Sequence, residues 1–141
     1  MIRTLTRTIG AITALAVASL LVLAPSAAHA NADGCTSSPV GCVKVVGTGL
    51  YVKTAQGGTR LAPRASTYGH SEIWGSGFHV NTGNKTLTNT VSTTQPVTVW
   101  DYQAVSVNRN LPNASTVCAR WWAYYNGAYH GSKIACVTIH S

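Results

Sequence analysis

The four cysteines of this chain limit its possible folds more than any other feature, because they all follow a segment typical of exported proteins. They are Cys35, Cys42, Cys118 and Cys136. An even number of cysteines in an oxidising compartment predicts two disulfides. A zinc site with four thiolate ligands is the alternative, but it usually requires two pairs of closely spaced cysteines. Six and seventeen residues separate the near pairs here, so we expect disulfides and no metal.

The segment typical of export covers the first thirty residues. Arg3 and Arg7 precede a fifteen-residue apolar run at 9–23, and Ala28-His29-Ala30 has the small-residue pattern of a cleavage site. This order is typical of a secretory signal peptide. A membrane anchor is the alternative, but a bilayer requires roughly twenty apolar residues. We expect residues 1–30 to be removed, which leaves one secreted, extracellular domain at 31–141 without a membrane anchor.

The predicted secreted part is basic, and its charges are dispersed. Without Arg3 and Arg7 it carries eight basic residues against Asp33, Glu72 and Asp101, a net charge of +5. The basic residues occur singly, and no nucleic-acid-binding motif accompanies them. We therefore expect a soluble basic surface and no nucleic-acid partner.

The composition of the secreted part favours strands and turns. Val, Thr, Tyr, Trp, Gly and Asn dominate, and short β-branched or aromatic runs alternate with clusters of Gly, Asn and Pro. This pattern predicts an all-β fold, a small β-sandwich-like domain of short antiparallel strands.

An internal similarity relates residues 45–54 to residues 73–82, at an offset of 28. Both read apolar, apolar, Gly, hydroxyl, Gly, apolar, aromatic ring, Val, polar, Thr. A Gly-x-Gly between two strand-like halves indicates a bulge or tight bend, so we expect a repeated hairpin element. A phosphate-binding loop is the alternative, but it requires a following helix, which neither segment predicts.

The C-terminal third predicts three strands, at 97–107, Thr116–Tyr125 and 132–140, with a hairpin turn at Asn126-Gly127. A strict two-residue turn would place Cys118 opposite Ala135, one residue short of Cys136. We therefore predict an odd-length loop or a bulge, with a Cys118–Cys136 disulfide between neighbouring strands. A Cys35–Cys42 disulfide would then pin the polar segment 31–42. Four cysteines allow two other pairings, which the sequence leaves open.

Groups for catalysis are scarce in the predicted secreted part. Glu72 and Asp101 could form a glycosidase pair, but their spacing does not indicate one. His70, Ser71 and Glu72 are adjacent, and neighbours on a strand point to opposite faces, so they cannot form a catalytic triad. His70 and His79 lack a marked third metal ligand. We expect no enzymatic activity, no metal and no cofactor.

Aromatic residues are the better indication of function. On the strand Thr116–Tyr125, one face carries Trp121 and the other carries Arg120, Trp122 and Tyr124. An ordinary sandwich has one wet side, so one face should meet solvent or a partner. Exposed Trp, Tyr and Arg dominate binding hot spots. The alternative is that loops of the same chain cover both faces. The predicted partner-binding residues are Arg120, Trp122 and Tyr124, followed by Trp74, Phe78 and His79.

The sequence resembles small secreted proteins of actinobacteria such as streptomycetes. The similarity rests on the signal segment, the four cysteines, the two Gly-x-Gly units, the runs 68–75 and 108–112, and the closing run 136–140. One group it resembles is the adaptor subunit of the secreted umbrella-shaped antibacterial toxin particles. The resemblance covers the whole predicted secreted chain. It implies a non-enzymatic linker that joins a lectin-like subunit to a large repeat-containing toxin polypeptide.

Two other classes of function fit the same features. A basic, disulfide-bonded inhibitor or antimicrobial protein of βγ-crystallin-like type would act by itself. A carbohydrate-binding or cell-wall-binding module would use exposed Trp and Tyr rings as stacking platforms. An adaptor would instead co-purify with larger secreted chains.

Overall fold

The computed structural model describes residues 30–91 and 98–141, and these form an all-β structure. The predicted all-β class is confirmed. The predicted signal peptide falls almost entirely on residues 1–29, outside the described residues. Within the described ranges, no helix has the length and apolarity needed to cross a membrane. The strands are β1 Ala32–Cys35, β2 Cys42–Thr48, β3 Tyr51–Leu61, β4 Ser66–Gly75, β5 Phe78–Asn81, β6 Lys85–Thr88, β7 Val99–Asn110, β8 Thr116–Tyr125, β9 Ala128–Gly131 and β10 Ala135–Thr138.

Two antiparallel sheets face each other. Sheet A has the strand order β1-β2-β3-β7. Sheet B is centred on the pair β4–β8, with β5 and β6 along the outer edge of β4 and β9 and β10 along the outer edge of β8. Strands β3 and β2 contact β4 and β8 across the interface, so the sheets enclose a shared core.

The core follows from the two-residue period of the strands, which turns alternate side chains inward. Ile73 on β4, Val117 and Ala119 on β8 and Val52 and Ala55 on β3 are all fully buried. A second, smaller cluster contains Leu61, Leu87 and Trp121. The alternation therefore assigns one face of each sheet to the core and leaves the other face of sheet B exposed.

Both predicted disulfides are present, Cys35–Cys42 between β1 and β2 and Cys118–Cys136 between β8 and β10. The predicted bulge is confirmed as well. The turn at Asn126-Gly127 has two residues, with Tyr125 paired to Ala128. Strand β9 then ends at Gly131, and β10 begins at Ala135 with the pairing shifted by one residue, which places Cys136 opposite Cys118.

The two Gly-x-Gly units form two-residue hairpins, as the sequence predicts. In the first, Thr48 pairs with Tyr51; in the second, Gly75 pairs with Phe78. At the offset of 28, however, the two turns differ in position by one residue. The similarity therefore predicts the hairpins but does not describe the repeat that organises the fold.

That repeat has an offset of 50 residues and relates β3–β6 to β7–β10. Equivalent backbone hydrogen bonds recur in both halves: Thr82 N–H to Ser71 O and Ser132 N–H to Trp121 O, at 2.9 and 2.8 Å. The other recurrent features share this spacing. The Ala65 N–H donates to the Ala62 carbonyl, as Ser115 does to Pro112. The Asn89 N–H donates to the Ala65 carbonyl, as Ile139 does to Ser115. Positive φ angles also recur, at Arg64 and Ala114 and at Gly77 and Gly127.

A pseudo-twofold axis relates the two halves. In sheet A, Ala55 pairs directly with its equivalent, Val105. In sheet B, Ser71 pairs directly with its equivalent, Trp121. Because each of these residues is paired with its own counterpart, the axis passes between β3 and β7 in sheet A and between β4 and β8 in sheet B.

A candidate binding surface on sheet B

The outer face of sheet B carries a continuous group of aromatic and charged side chains. Strand alternation sends Trp121 into the core, where it is 3 % exposed, and turns the adjacent Trp122 outward. The β4–β8 pairing sets His70 beside Trp122 and Glu72 beside Arg120. We call this surface the aromatic face. Its residues are Tyr68, His70, Glu72, Trp74, His79, Asn84, Arg120, Trp122, Tyr124 and Tyr129.

The rings of the aromatic face contact one another along its length. Tyr124 lies 6.5 Å from Tyr68 and 5.0 Å from Tyr129, measured between ring centroids. His70 contacts Tyr129 at 4.8 Å edge-on and Trp122 at 6.5 Å in a stacked arrangement. Edge-to-face and offset contacts at these distances are favourable. The rings therefore hold one another in position while Tyr68, Tyr124 and Tyr129 each remain more than two-fifths exposed.

Trp122 occupies the centre of the aromatic face. A Cβ atom added at Gly131, its partner on β9, would lie 3.0 Å from the indole ring, so a larger residue there would require the ring to shift by a few tenths of an ångström. The Arg120 guanidinium lies 5.0 Å from the centroid of the same ring, within the range of a cation–π interaction. The ring is thus fixed by its neighbours and half-buried.

The carboxylate of Glu72 interacts with two other side chains of the aromatic face. Its Oε2 accepts a hydrogen bond from the Trp122 indole N–H at 2.9 Å, and its Oε1 lies 3.0 Å from His79 Nε2. The Trp122 hydrogen bond has the largest effect on the pKa of Glu72, which lies below its ordinary value. The His79 hydrogen bond and the charges of His79 and Arg120 act in the same direction, while burial opposes them.

A second polar network involves Asn84, which precedes β6. Its side-chain amide forms hydrogen bonds with the Tyr129 hydroxyl at 2.8 and 3.1 Å. Its Oδ1 also lies 3.2 Å from His70 Nδ1. Asn84, beside the outer edge of β4, is therefore linked to Tyr129 on β9, beside the outer edge of β8, across the ring of His70.

The structure brings together five of the six predicted partner-binding residues: Arg120, Trp122, Tyr124, Trp74 and His79 all lie on the aromatic face. Phe78 does not, because it packs against the core on the inner side of sheet B. The other five residues of the aromatic face were not predicted from the sequence: Tyr68, His70, Glu72, Asn84 and Tyr129. The alternation Tyr68-His70-Glu72-Trp74 could have indicated the outward face of β4. The sequences of β4 and β8 do not show, however, that these two strands pair.

The groups considered for catalysis lie apart. Ser71 Oγ is buried and donates to the Gly57 carbonyl at 2.6 Å, whereas His70 and Glu72 lie on the outer face. Asp101 belongs to sheet A, where it accepts hydrogen bonds from the Thr88 and Tyr102 backbone N–H groups. In the part of the chain that the structure describes, no three His, Cys, Asp or Glu side chains are placed to share a metal ion.

A cleft of about 610 Å³ opens between the two sheets beside the aromatic face. Leu61 and Trp121 form its base, Thr59 and Thr67 contribute hydroxyl groups, and Tyr129 lies on its rim. Tyr129 therefore belongs both to the cleft and to the aromatic face.

Comparisons of this chain with protein-family models, with curated proteins and with solved structures found no match.

Proposed function

We propose that this chain is a secreted, non-enzymatic protein-binding domain whose aromatic face contacts the partner. The observation that carries this proposal is the exposed, ordered group of Tyr, Trp, His and Arg side chains around Trp122. Tyr, Trp and Arg are the residues that contribute most to protein interfaces. The two disulfides are compatible with an extracellular location.

The order within the aromatic face supports binding because it lowers the entropy lost on association. Mobile side chains must be immobilised at an interface, which costs about 0.5–1.5 kcal/mol for each flexible side chain. Here Trp122 is held by Glu72, and Tyr129 is held by Asn84. A partner therefore meets rings that already have fixed positions.

The resemblance to adaptor subunits suggests the class of partner. On that basis the chain links subunits of a secreted antibacterial toxin complex, with a lectin-like subunit and a large repeat-containing polypeptide as its partners. The chain itself supplies contact surface and no chemistry in this proposal.

The test is affinity purification of the tagged, natively secreted chain from its own culture supernatant, followed by mass spectrometry. We expect stoichiometric recovery of larger secreted polypeptides. The double variant Trp122→Ala/Tyr124→Ala should remain folded and lose them. The matched control is Tyr51→Ala/Tyr102→Ala, which removes two exposed rings from sheet A and should retain them. Recovery of the chain alone, or equal recovery with both variants, would overturn the proposal.

A carbohydrate-binding function is the second candidate, and a specific observation favours it. The carboxylate of Glu72 and the amide of Asn84 lie beside exposed rings, which combines hydrogen-bonding groups with stacking surfaces. Retention of the purified chain on chitin, cellulose or cell wall, lost in Trp122→Ala/Tyr124→Ala, would support this function in place of the adaptor. Activity of the purified chain in killing or protease-inhibition assays would instead favour an antimicrobial or inhibitory protein.

A further inference from the structure

The pseudo-twofold axis relates two positions between the sheets, and the cleft is open at only one of them. Its lining includes Leu61 on β3, Thr67 on β4 and Ala123 on β8. At the offset of 50, the equivalent residues are Leu111, Ile73 and Val117. All three are buried in the main core cluster. One of the two equivalent positions is therefore packed and the other is open.

The difference arises from the size of the side chains. Where the packed position has Ile73 and Val117, the open position has Ala123 and Thr67, whose side chains are smaller or more polar. The largest change is at Phe78, whose ring lies against Gly75 and packs on the core. Its equivalent is Ala128. The packed position is thus filled by the Phe78 ring, whereas at the open position the ring of the equivalent residue pair belongs to Tyr125, which is half-exposed.

The cleft has the chemistry of a site for a neutral apolar group. Among the described residues that line it there is no Asp, Glu, Lys or Arg. The Trp121 indole N–H donates to Thr67 Oγ1, and the Thr59 hydroxyl donates to the Val40 carbonyl, so the polar groups at its base already have partners. Tyr125 and His130 form a stacked pair on its wall, with ring centroids 3.9 Å apart. Its volume is within the usual range of ligand sites, about 300–1,000 Å³.

We infer that the cleft binds an aromatic side chain of the partner polypeptide, which takes the place that Phe78 fills at the equivalent, packed position. This inference rests on the proposed function, because Tyr129 joins the cleft to the aromatic face and one partner can cover both. The aromatic face supplies the broad contact. The cleft supplies an apolar anchor point, as buried central pockets do at protein interfaces.

A direct test uses N-acetyl-L-phenylalanine amide as a probe and NMR spectra of the folded chain. Trp121 and Trp122 are adjacent reporters, since the Trp121 indole N–H lies at the cleft and the Trp122 indole N–H lies on the aromatic face. We expect saturable shifts of the Trp121 indole signal and of the Ala123 and Ser132 amides, with the Trp122 indole signal unchanged. N-acetylglycine amide should produce no saturable shift.

Two variants close the cleft by copying the other half. Tyr125→Gly/Ala128→Phe transfers the Gly75–Phe78 pair and should abolish the saturable shift. Ala123→Ile copies Ile73, is the milder change, and should weaken the apparent affinity about tenfold or more. It also keeps the test decisive if the double variant does not fold. Ala104→Ile, on an exposed position of β7, is the matched control and should bind the probe as the unmodified chain does.

No saturable shift at Trp121, or an undiminished shift in Ala123→Ile, would overturn the inference. A saturable shift with N-acetylglucosamine and none with the phenylalanine probe would overturn it in favour of a sugar. In the supernatant experiment, a partner lost from Trp122→Ala/Tyr124→Ala but retained by Ala123→Ile would refute the cleft as anchor and leave the proposed function standing. Loss of the partner from both variants supports both proposals.

Discussion

Glu72 and Trp122 occupy equivalent positions in the two halves of the repeat, and they meet beside the pseudo-twofold axis, where the indole N–H donates to the carboxylate at 2.9 Å. One position thus carries the acceptor in the first half and the donor in the second. A strictly symmetric pair, with two carboxylates or two indoles, could not form this hydrogen bond. The centre of the aromatic face therefore depends on the divergence of the two halves.

The Glu72 interactions should make part of the stability depend on pH. The lowered pKa means that the folded state favours the carboxylate, so this contribution is fully present above the ordinary value of 4.5 and is lost as the pH falls through the lower folded-state value. We expect Glu72→Gln to lower the free energy of unfolding by about 1 kcal/mol at pH 7. Urea unfolding across the acid range should show this difference shrinking.

The matched control for Glu72 is Asp33→Asn, which removes an exposed carboxylate from the edge strand β1. It should leave the pH dependence of unfolding close to that of the unmodified chain. A Glu72→Gln difference that stays constant down to strongly acid pH would contradict the assigned role of the carboxylate.

Ser132 and Thr82 are equivalent residues whose removal should have unequal effects. Ser132 Oγ accepts the Trp121 backbone N–H at 3.0 Å, in a buried position. Thr82 Oγ1 accepts the Ser71 N–H at 2.9 Å, but Gln103 Oε1 accepts the same N–H at 2.9 Å. Ser132→Ala should therefore cost about 1–3 kcal/mol, and Thr82→Val should cost less because Gln103 remains. Urea unfolding of both variants measures the difference, and a larger loss for Thr82→Val would refute this account.

Gly77 and Gly127 test the hairpin turns of the two halves. Both have a positive φ, 76° and 78°, a conformation that costs roughly 1–2 kcal/mol for other residues. An added Cβ at Gly127 meets no atom within 4 Å, whereas at Gly77 it lies 3.3 Å from Arg109 Nη1. That Arg109 atom donates to the Gly77 carbonyl. Gly127→Ala should show the backbone cost alone, and Gly77→Ala a larger cost, by thermal unfolding; equal losses would argue against a role for Arg109.

The two disulfides should differ in their contribution to stability. Constraint of the unfolded chain grows with the length of the closed loop, and the sequence separations are 7 for Cys35–Cys42 and 18 for Cys118–Cys136. On this basis Cys35→Ala/Cys42→Ala should cost about 2 kcal/mol and Cys118→Ala/Cys136→Ala about 3 kcal/mol. Unfolding in urea under non-reducing conditions gives both values. The reverse order would mean that the N-terminal strands contribute more than chain entropy alone predicts.

Local features of the fold could be predicted from the sequence. Strand β8 has the predicted bounds, Thr116–Tyr125, because β-branched and aromatic residues run up to an Asn-Gly turn. The mismatch between that turn and Cys136 correctly required an extra residue, which lies in the break between β9 and β10. The predicted strand at 132–140 was too long for the same reason: the break shortens β10 to Ala135–Thr138.

Relationships between distant strands could not be predicted. Between 51–89 and 101–139, only Leu61 with Leu111, Gly77 with Gly127, and Thr88 with Thr138 are identical at the offset of 50. The repeat is held by backbone hydrogen bonds, which place few demands on side-chain identity. The pairing of β4 with β8 depends on it, so Tyr68, His70 and Tyr129 could not be assigned to the same surface as Trp122. The cleft results from size differences between equivalent residues, so it could not be predicted without knowledge of the repeat.

The pseudo-twofold arrangement also bears on how such a domain can evolve. If each half were a separate chain in a homodimer, every substitution would appear twice, and a ring added to fill one inter-sheet space would fill both. Joined in a single polypeptide, the halves accumulate changes independently. One of the two inter-sheet spaces can then be filled by a residue such as Phe78, while the equivalent space keeps its opening.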